Sequence, residues 1–187
     1  MTLTLVRHAQ VEETYIGCYN GHLDIGLSPK GYADAKNLGK YLNASDFDAI
    51  FCSDLIRAKE TLKQFIQTDY IIYTHELREK SWGRHEGLSF DEIIAQGEIE
   101  YIDFEGWLNT LDGESVQEYT LRVKKFLFEY LPSLKKENIL LVTHSGVIKT
   151  FISSIKSITL EEAFSFSVGY ASFVVYNSET KELDFHD

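Results

Sequence analysis

Ile139-Leu-Leu-Val-Thr-His-Ser-Gly-Val-Ile148 is the stretch whose reading decides the fold. Four consecutive apolar residues, Ile139–Val142, suit a strand buried on both faces, the habit of strands inside a parallel sheet. Gly146, Val147, Ile148, Phe151, Ile152 and Ile155 then recur at helical spacing, so a helix starts directly after the strand. The same order repeats outward along the chain. Leu3–Val6 is a short apolar strand, and after a long polar stretch to Leu27 the pair Ser28-Pro29 offers an N-cap and a proline at the first helical position. Ala35, Leu38 and Leu42 carry the stripe of that helix. Ala49–Cys52 is a second strand, and Leu55, Ala58, Leu62 and Phe65 predict a helix from Leu55 to Gln67. Tyr70–Tyr73, aromatic and β-branched, is a third strand. Ser115-x-x-Glu118 is a capping box opening the clearest helix of the chain, with Pro132 just beyond its end. Thr159-x-x-Glu162 caps a short last helix, and Phe173–Tyr176 with Leu183–Phe185 read as terminal strands able to pair as a hairpin.

Strands alternating with helices predict an α/β fold: a three-layer α/β/α sandwich with a mostly parallel central sheet. Residues 74–114 differ from the rest, being mixed, aromatic and punctuated by glycine, with one short helix signalled by Ser89-x-x-Glu92. They predict a small helical cap inserted at about 76–114 into a single domain spanning residues 1–187.

Composition narrows the function classes. The chain has 187 residues, 18 basic and 29 acidic, for a net charge of −11. That balance argues against nucleic-acid binding, which needs a basic face, and against an anionic membrane surface. It leaves an anionic small molecule open, because a pocket can be cationic on an acidic protein. Cys18 and Cys52 have no metal-ligand spacing and are either reduced thiols or one disulfide. Met1-Thr-Leu-Thr-Leu-Val-Arg-His8 lacks the features of a signal peptide, so the expected compartment is the cytoplasm. The oligomeric state is not legible.

Ligands of parallel sheets bind outside the carboxyl ends of the strands. Arg7 and His8 follow the first strand, and Ser53, Asp54 and Arg57 follow the second. His75, Glu76, Arg78 and Glu79 follow the third, and Thr143, His144, Ser145 and Gly146 the fourth. Two histidines, two arginines and a carboxylate can therefore meet at one edge. Each alone reads as an ordinary structural or surface residue; four strand ends converging favour a site.

These residues also carry a resemblance. Leu5-Val-Arg-His-Ala9 resembles the signature of the histidine phosphatase, or phosphoglycerate mutase-like, superfamily. Ser53-Asp-Leu-Ile-Arg57-Ala58-Lys-Glu-Thr61 is similar to its second block, Leu77-Arg-Glu79 with Gly83, Glu86 and Gly87 to its third, and Val142-Thr-His144-Ser-Gly146 to its fourth. Within that superfamily, Gly17-Cys-Tyr-Asn-Gly-His22 and Asp112-Gly-Glu-Ser115 look most like the α-ribazole phosphatases of cobalamin synthesis. Departures are Ala9 where glycine is commoner, Gln10 for a frequent glutamate, Thr14 for a frequent asparagine and Asn20 for glutamine.

The resemblance implies that His8 is a nucleophile forming a phosphohistidine, with Glu79 as the proton donor to the leaving group and Glu86 as a lower-ranked alternative. It implies that Arg7, Arg57 and His144 hold the phosphate, with Thr14, Asn20, Gly21 and Ser145 as further substrate contacts. The chemistry is coherent. A neutral imidazole attacks phosphorus in line when its other nitrogen is fixed, and permanently charged guanidinium forks match the equatorial oxygens. Histidines arriving with arginines do not suit a cation, so neither a metal nor another cofactor is expected. His22, His75, His85 and His186 read as structural or surface residues, with His22 the nearest to the pocket.

No lysine or arginine lies between Arg84 and Arg122, whereas Asp91, Glu92, Glu98, Glu100, Asp103, Glu105, Asp112, Glu114 and Glu118 are acidic. Such a field disfavours a second anionic group on the substrate. Trp82, Phe90, Tyr101, Phe104 and Trp107 either stack on a flat leaving group or pack the core of the cap. The expected activity is hydrolysis of a small phosphomonoester such as α-ribazole 5′-phosphate. The alternatives are a phosphoglycerate mutase-like activity, a broad-specificity or protein phosphatase, or a non-catalytic phosphate-binding module.

Overall fold

The computed structural model of the chain describes residues 1–186. Its centre is a six-stranded sheet in the order β3-β2-β4-β1-β5-β6. β1 (Thr2–Arg7), β2 (Ala49–Ser53), β3 (Ile71–Thr74) and β4 (Asn138–Thr143) are mutually parallel. β5 (Phe173–Asn177) runs antiparallel to β1, and β6 (Leu183–His186) closes the hairpin expected for the last two strands. Leu3 pairs with Ile139 and Leu5 with Leu141, so the first and fourth strands form the apolar middle.

Helices cover both faces. On one side lie α1 (Pro29–Asn37), which packs Ala35 with Ala9 and Leu27, and α2 (Ile56–Lys63), which brings Ala58 and Leu62 against Val6, Ile50, Cys52, Leu140 and Val142. Ser28 accepts the Gly31 amide at 3.0 Å, ahead of Pro29 in the first turn. α2 is shorter than its hydrophobic period. Ile66 is still buried, but the backbone leaves the helix after Lys63 to enter the turn into β3, so the apolar spacing outlasts the hydrogen bonds.

Residues leading from β3 to the far face form a third apolar cluster of their own, with Trp82, Ile93, Ile99, Trp107, Leu108 and Leu111 buried together. It contains two helices rather than the one expected, α3 (Phe90–Ala95) and α4 (Phe104–Thr110). The start of α4 is capped by Asp103, which accepts the Gly106 amide at 2.7 Å, a signal weaker in sequence than a full capping box.

On the opposite face of the sheet, α5 (Val116–Lys125) packs Tyr119 and Val123 beside Leu3, Leu5 and Phe51. It does not stop before Pro132. The helix widens into a π turn over Phe126–Tyr130 and continues as a final turn, α6 (Leu131–Ser133). Proline has no N–H to return to the carbonyl one turn back, and a widened turn accommodates that missing bond without ending the helix. α7 (Ser145–Lys156) and α8 (Leu160–Phe164) complete the layer, with Val147, Ile148, Phe151 and Ile152 buried. The result is the three-layer α/β/α arrangement. No helix among the described residues is long and apolar enough to cross a membrane.

Candidate active site

The carboxyl ends of β1, β2 and β4 and the loop after β3 open into a cleft of about 190 Å³, walled by Arg7, His8, Asn20, Gly21, Arg57, Glu79, Ser145 and Gly146, with Cys18, Tyr19, Trp82, Phe164 and Tyr170. His144 lies immediately beneath, its ring centroid 5.1 Å from that of His8. The predicted residues are thus together, with one correction. Thr14 is exposed on a turn outside the wall, because its 3-10 helix (Glu13–Tyr15) presents no buried side chain.

His8 is placed by β1 and is only 7% exposed. Its amide donates to the Thr143 carbonyl at 2.9 Å, and its Nδ1 lies 2.8 Å from the Ala9 carbonyl oxygen. A carbonyl only accepts, so Nδ1 carries the proton and Nε2 keeps its lone pair. Burial, then Arg57 and Arg7, hold the ring well below the ordinary histidine range, so it is neutral at pH 7.

Arg57 is 1% exposed, and its two terminal nitrogens donate to the Leu23 carbonyl at 2.8 Å and the Gly21 carbonyl at 2.7 Å. Burial lowers it to about 10, which still leaves it cationic at neutral pH. Gly21 has φ +44, and a side chain there would come within 2.8 Å of Trp82, so the carbonyl reaches Arg57 only from glycine. Arg7 donates to the Val168 carbonyl at 2.6 Å and lies 3.9 Å from the Tyr170 ring centroid, a cation–π stack that fixes the fork.

His144 is fully buried, with Nε2 2.8 Å from Ser53 Oγ and Nδ1 without a protein partner. Burial, Arg57, His8 and Arg7 all push it well below its ordinary value. The unliganded ring is therefore neutral, and it needs a bound anion to become a charged donor. Both histidines bind protons less readily folded than unfolded. Their contribution is intact above the ordinary histidine range and is lost as pH falls through it. We expect the melting temperature to drop below about pH 6.5, with inorganic phosphate restoring part of the loss. Calorimetry from about pH 7.5 down to about pH 5.5 checks this, and a flat profile contradicts it.

Glu79 is cradled. Oε1 accepts from the Tyr119 hydroxyl and the Lys80 amide, each at 3.0 Å, and Oε2 from the Gly146 amide at 2.9 Å. A methyl group at Gly146 would collide with Glu79 Oε1 and with the Tyr119 hydroxyl, so the carboxylate occupies the space a side chain would need. Glu79 does not pair with Arg78, which is held by Asp54 through two bonds of 2.6 Å. Glu86 is committed elsewhere: its Oε1 accepts from the His22 amide at 2.8 Å, the Trp82 amide at 3.1 Å and Ser81 Oγ at 3.2 Å. Of the two carboxylates, Glu79 is the one in the cleft wall.

The acidic segment after Arg84 does not reach the cleft. Glu92 and Glu118 cap helices through Ser89 and Ser115, Asp112 accepts the Arg84 amide, and Glu114 binds Arg122. Among the described residues, the wall itself holds Glu79 as its one carboxylate and Arg7 and Arg57 as its cations. The aromatic question also resolves. Phe90, Tyr101 and Trp107 meet one another in tilted or edge-to-face pairs, Phe104 meets Phe164 edge to face, and only Trp82 of the predicted five lines the cleft. Tyr170 and Phe164 were not anticipated. Tyr170 precedes an antiparallel strand, so its loop arrives at the same edge as the ends of the parallel strands, a position invisible until the direction of β5 is known.

Two guanidinium groups around a neutral imidazole suit the three equatorial oxygens of a transferring phosphoryl group, which sets the site in the phosphoryl-transfer class. The chain belongs to the histidine phosphatase superfamily (branch 1), whose family model matches residues 3–186, and it is a phosphatase-family enzyme. It is 28% identical over 197 residues to the adenosylcobalamin/α-ribazole phosphatase of Salmonella typhimurium, covering 95% of this chain and 96% of that protein. It is 29% identical over 195 residues to the 2,3-bisphosphoglycerate-dependent phosphoglycerate mutase of Bartonella quintana, covering 96% and 94%. The crystal structure of the α-ribazole phosphatase from Shigella flexneri matches at TM-score 0.83 and 25% identity, covering 100% of this chain and 95% of that chain.

Proposed function

We propose that the protein hydrolyses a small phosphomonoester through a phosphohistidine at His8, with α-ribazole 5′-phosphate as the type of substrate. The observation that carries this is the Nδ1 contact to the Ala9 carbonyl, which leaves Nε2 as a fixed, uncharged nucleophile between Arg7 and Arg57. In the first step Nε2 forms a bond to phosphorus, the P–O bond to the alcohol breaks, and Glu79 gives its proton to the departing oxygen. In the second, water attacks the phosphoryl group, Glu79 takes back a proton, and the P–N bond breaks to restore neutral His8. Arg7 and Arg57 neutralise the equatorial oxygens throughout. His144, charged once the anion is bound, adds a third donor. Asn20, Gly21 and Ser145 line the same wall.

Two features support a single phosphate on a flat or apolar alcohol. The wall has no cation beyond those needed for one phosphate, and Tyr19, Trp82, Phe164 and Tyr170 present ring surfaces beside it. A mutase requires a place for a second anionic group, and among the described residues Arg7 and Arg57 are the cations of this wall. A panel of α-ribazole 5′-phosphate, sugar phosphates, nucleoside monophosphates and 3-phosphoglycerate tests the reading. We expect kcat/KM to be highest for the aromatic nucleoside-like esters and lowest for 3-phosphoglycerate. Preference for 3-phosphoglycerate, or its isomerisation, would overturn the assignment.

A further inference from the structure

Ser53 closes β2 and is fully buried, and among the described residues its hydroxyl has two partners. The Leu55 amide approaches Oγ at 3.4 Å, and Nε2 of His144 lies 2.8 Å from it. An amide only donates, so Leu55 takes a lone pair of the hydroxyl and leaves its proton to be placed. Were a neutral His144 protonated at Nε2, the hydroxyl would accept twice and its own buried proton would have no acceptor. With the ring proton on Nδ1, the serine donates to the bare Nε2 and both groups are satisfied. The donor count therefore favours the Nδ1–H form of the neutral ring.

That proton meets nothing in the protein. Nδ1 is buried and has no hydrogen-bond partner. The ring lies beside His8, with centroids 5.1 Å apart, under the cleft walled by Arg7 and Arg57. Guanidinium groups cannot accept, and no hydrogen bond joins Nδ1 to the lone pair of His8. The acceptor this donor lacks is the oxygen of an anion.

We propose that Ser53 is a positioning residue that sets the tautomer of His144, so that the uncharged ring presents Nδ1–H to a phosphate oxygen in the cleft. The ring is then a donor before it carries any charge. When a bound anion draws a second proton to the ring, that proton enters at Nε2, and the serine hydroxyl turns from donor to acceptor without moving its oxygen. Alanine at position 53 leaves Nε2 without a partner, and nothing then selects the Nδ1–H form.

The inference rests on the cleft being a phosphate site, and a measurement without ligand separates the two. Protein carrying isotope-labelled histidine is read by nitrogen NMR at about pH 8, where an unperturbed imidazole is already neutral. The His144 signals are those lost in His144→Gln. We expect Nδ1 of His144 to show the shift of a protonated nitrogen and Nε2 that of a bare one. In Ser53→Ala the two shifts should average or exchange, and Ser53→Thr, which keeps the hydroxyl, should restore the wild-type pair. Inorganic phosphate should bind Ser53→Ala about tenfold more weakly than wild type, the size of one hydrogen bond to a charged group. Adding phosphate to wild type should move the Nδ1 proton resonance downfield. A wild-type ring protonated at Nε2 overturns the inference even where neither variant folds, and so does an unchanged tautomer in Ser53→Ala. If wild type shows the Nδ1–H form but binds no phosphate, the phosphate reading of the cleft fails while the hold of Ser53 on the tautomer stands.

Discussion

Alanine at position 8 is expected to reduce turnover of every phosphomonoester by about ten-thousand-fold or more, because it removes the atom proposed to receive the phosphoryl group. The fold should survive. The ring contributes one hydrogen bond, to the Ala9 carbonyl, and packing beside His144 and Tyr170, while the backbone amide of residue 8, bonded to Thr143, remains. The cavity left between Arg7, Arg57 and His144 should still admit phosphate, so competitive binding of inorganic phosphate persists while catalysis does not. Mass spectrometry after rapid quenching offers a second readout: wild type mixed with substrate should carry one phosphate on His8, and His8→Ala none. Comparable turnover in the two proteins would sink the nucleophile assignment.

Arg57→Ala should be the next most damaging change, with kcat/KM falling about a thousandfold or more. The guanidinium faces the cleft and also holds the Gly21 and Leu23 carbonyls, so its loss removes charge from the phosphate and slackens the loop that walls it. Lysine is not expected to rescue. Nζ is a point charge on a flexible stem and cannot span two carbonyls and a phosphate oxygen as a planar fork does. A rise in KM with kcat intact would indicate ground-state binding alone, whereas a fall in both kcat and kcat/KM marks charge stabilised in the transition state. Activity of Arg57→Lys close to that of wild type contradicts the fork argument.

Most of the framework was legible in the sequence because it depends on local signals. Apolar runs placed β1, β2 and β4, capping residues placed the starts of α1, α3, α5 and α8, and the residues just past each strand named His8, Arg57, Glu79 and His144. What sequence reading missed depends on direction and distance. The acids after Arg84 looked like a field over the pocket, yet several are used as helix caps and ion-pair partners, and composition does not say which way a carboxylate points. Phe90 and Tyr101 are as aromatic as Trp82, but only tertiary packing shows that they face one another. Thr14 was inferred from its place in a motif, and its turn carries it outward. Tyr119 sits on the helix opened by the Ser115 capping box, and no local signal in the sequence shows that its hydroxyl reaches Glu79.

The place of β1 has a consequence for biosynthesis. The strand that leads into His8 has neighbours on either side, β4 and β5, that both come much later in the sequence. Met1 and Ser178 are even bonded to each other through backbone and hydroxyl. His8 is therefore made long before β4 and β5, the two strands that give it a wall to stand against. Closing so long a loop is slow relative to local helix formation. Until those strands arrive, the imidazole of His8 has no sheet on either side of the strand that carries it.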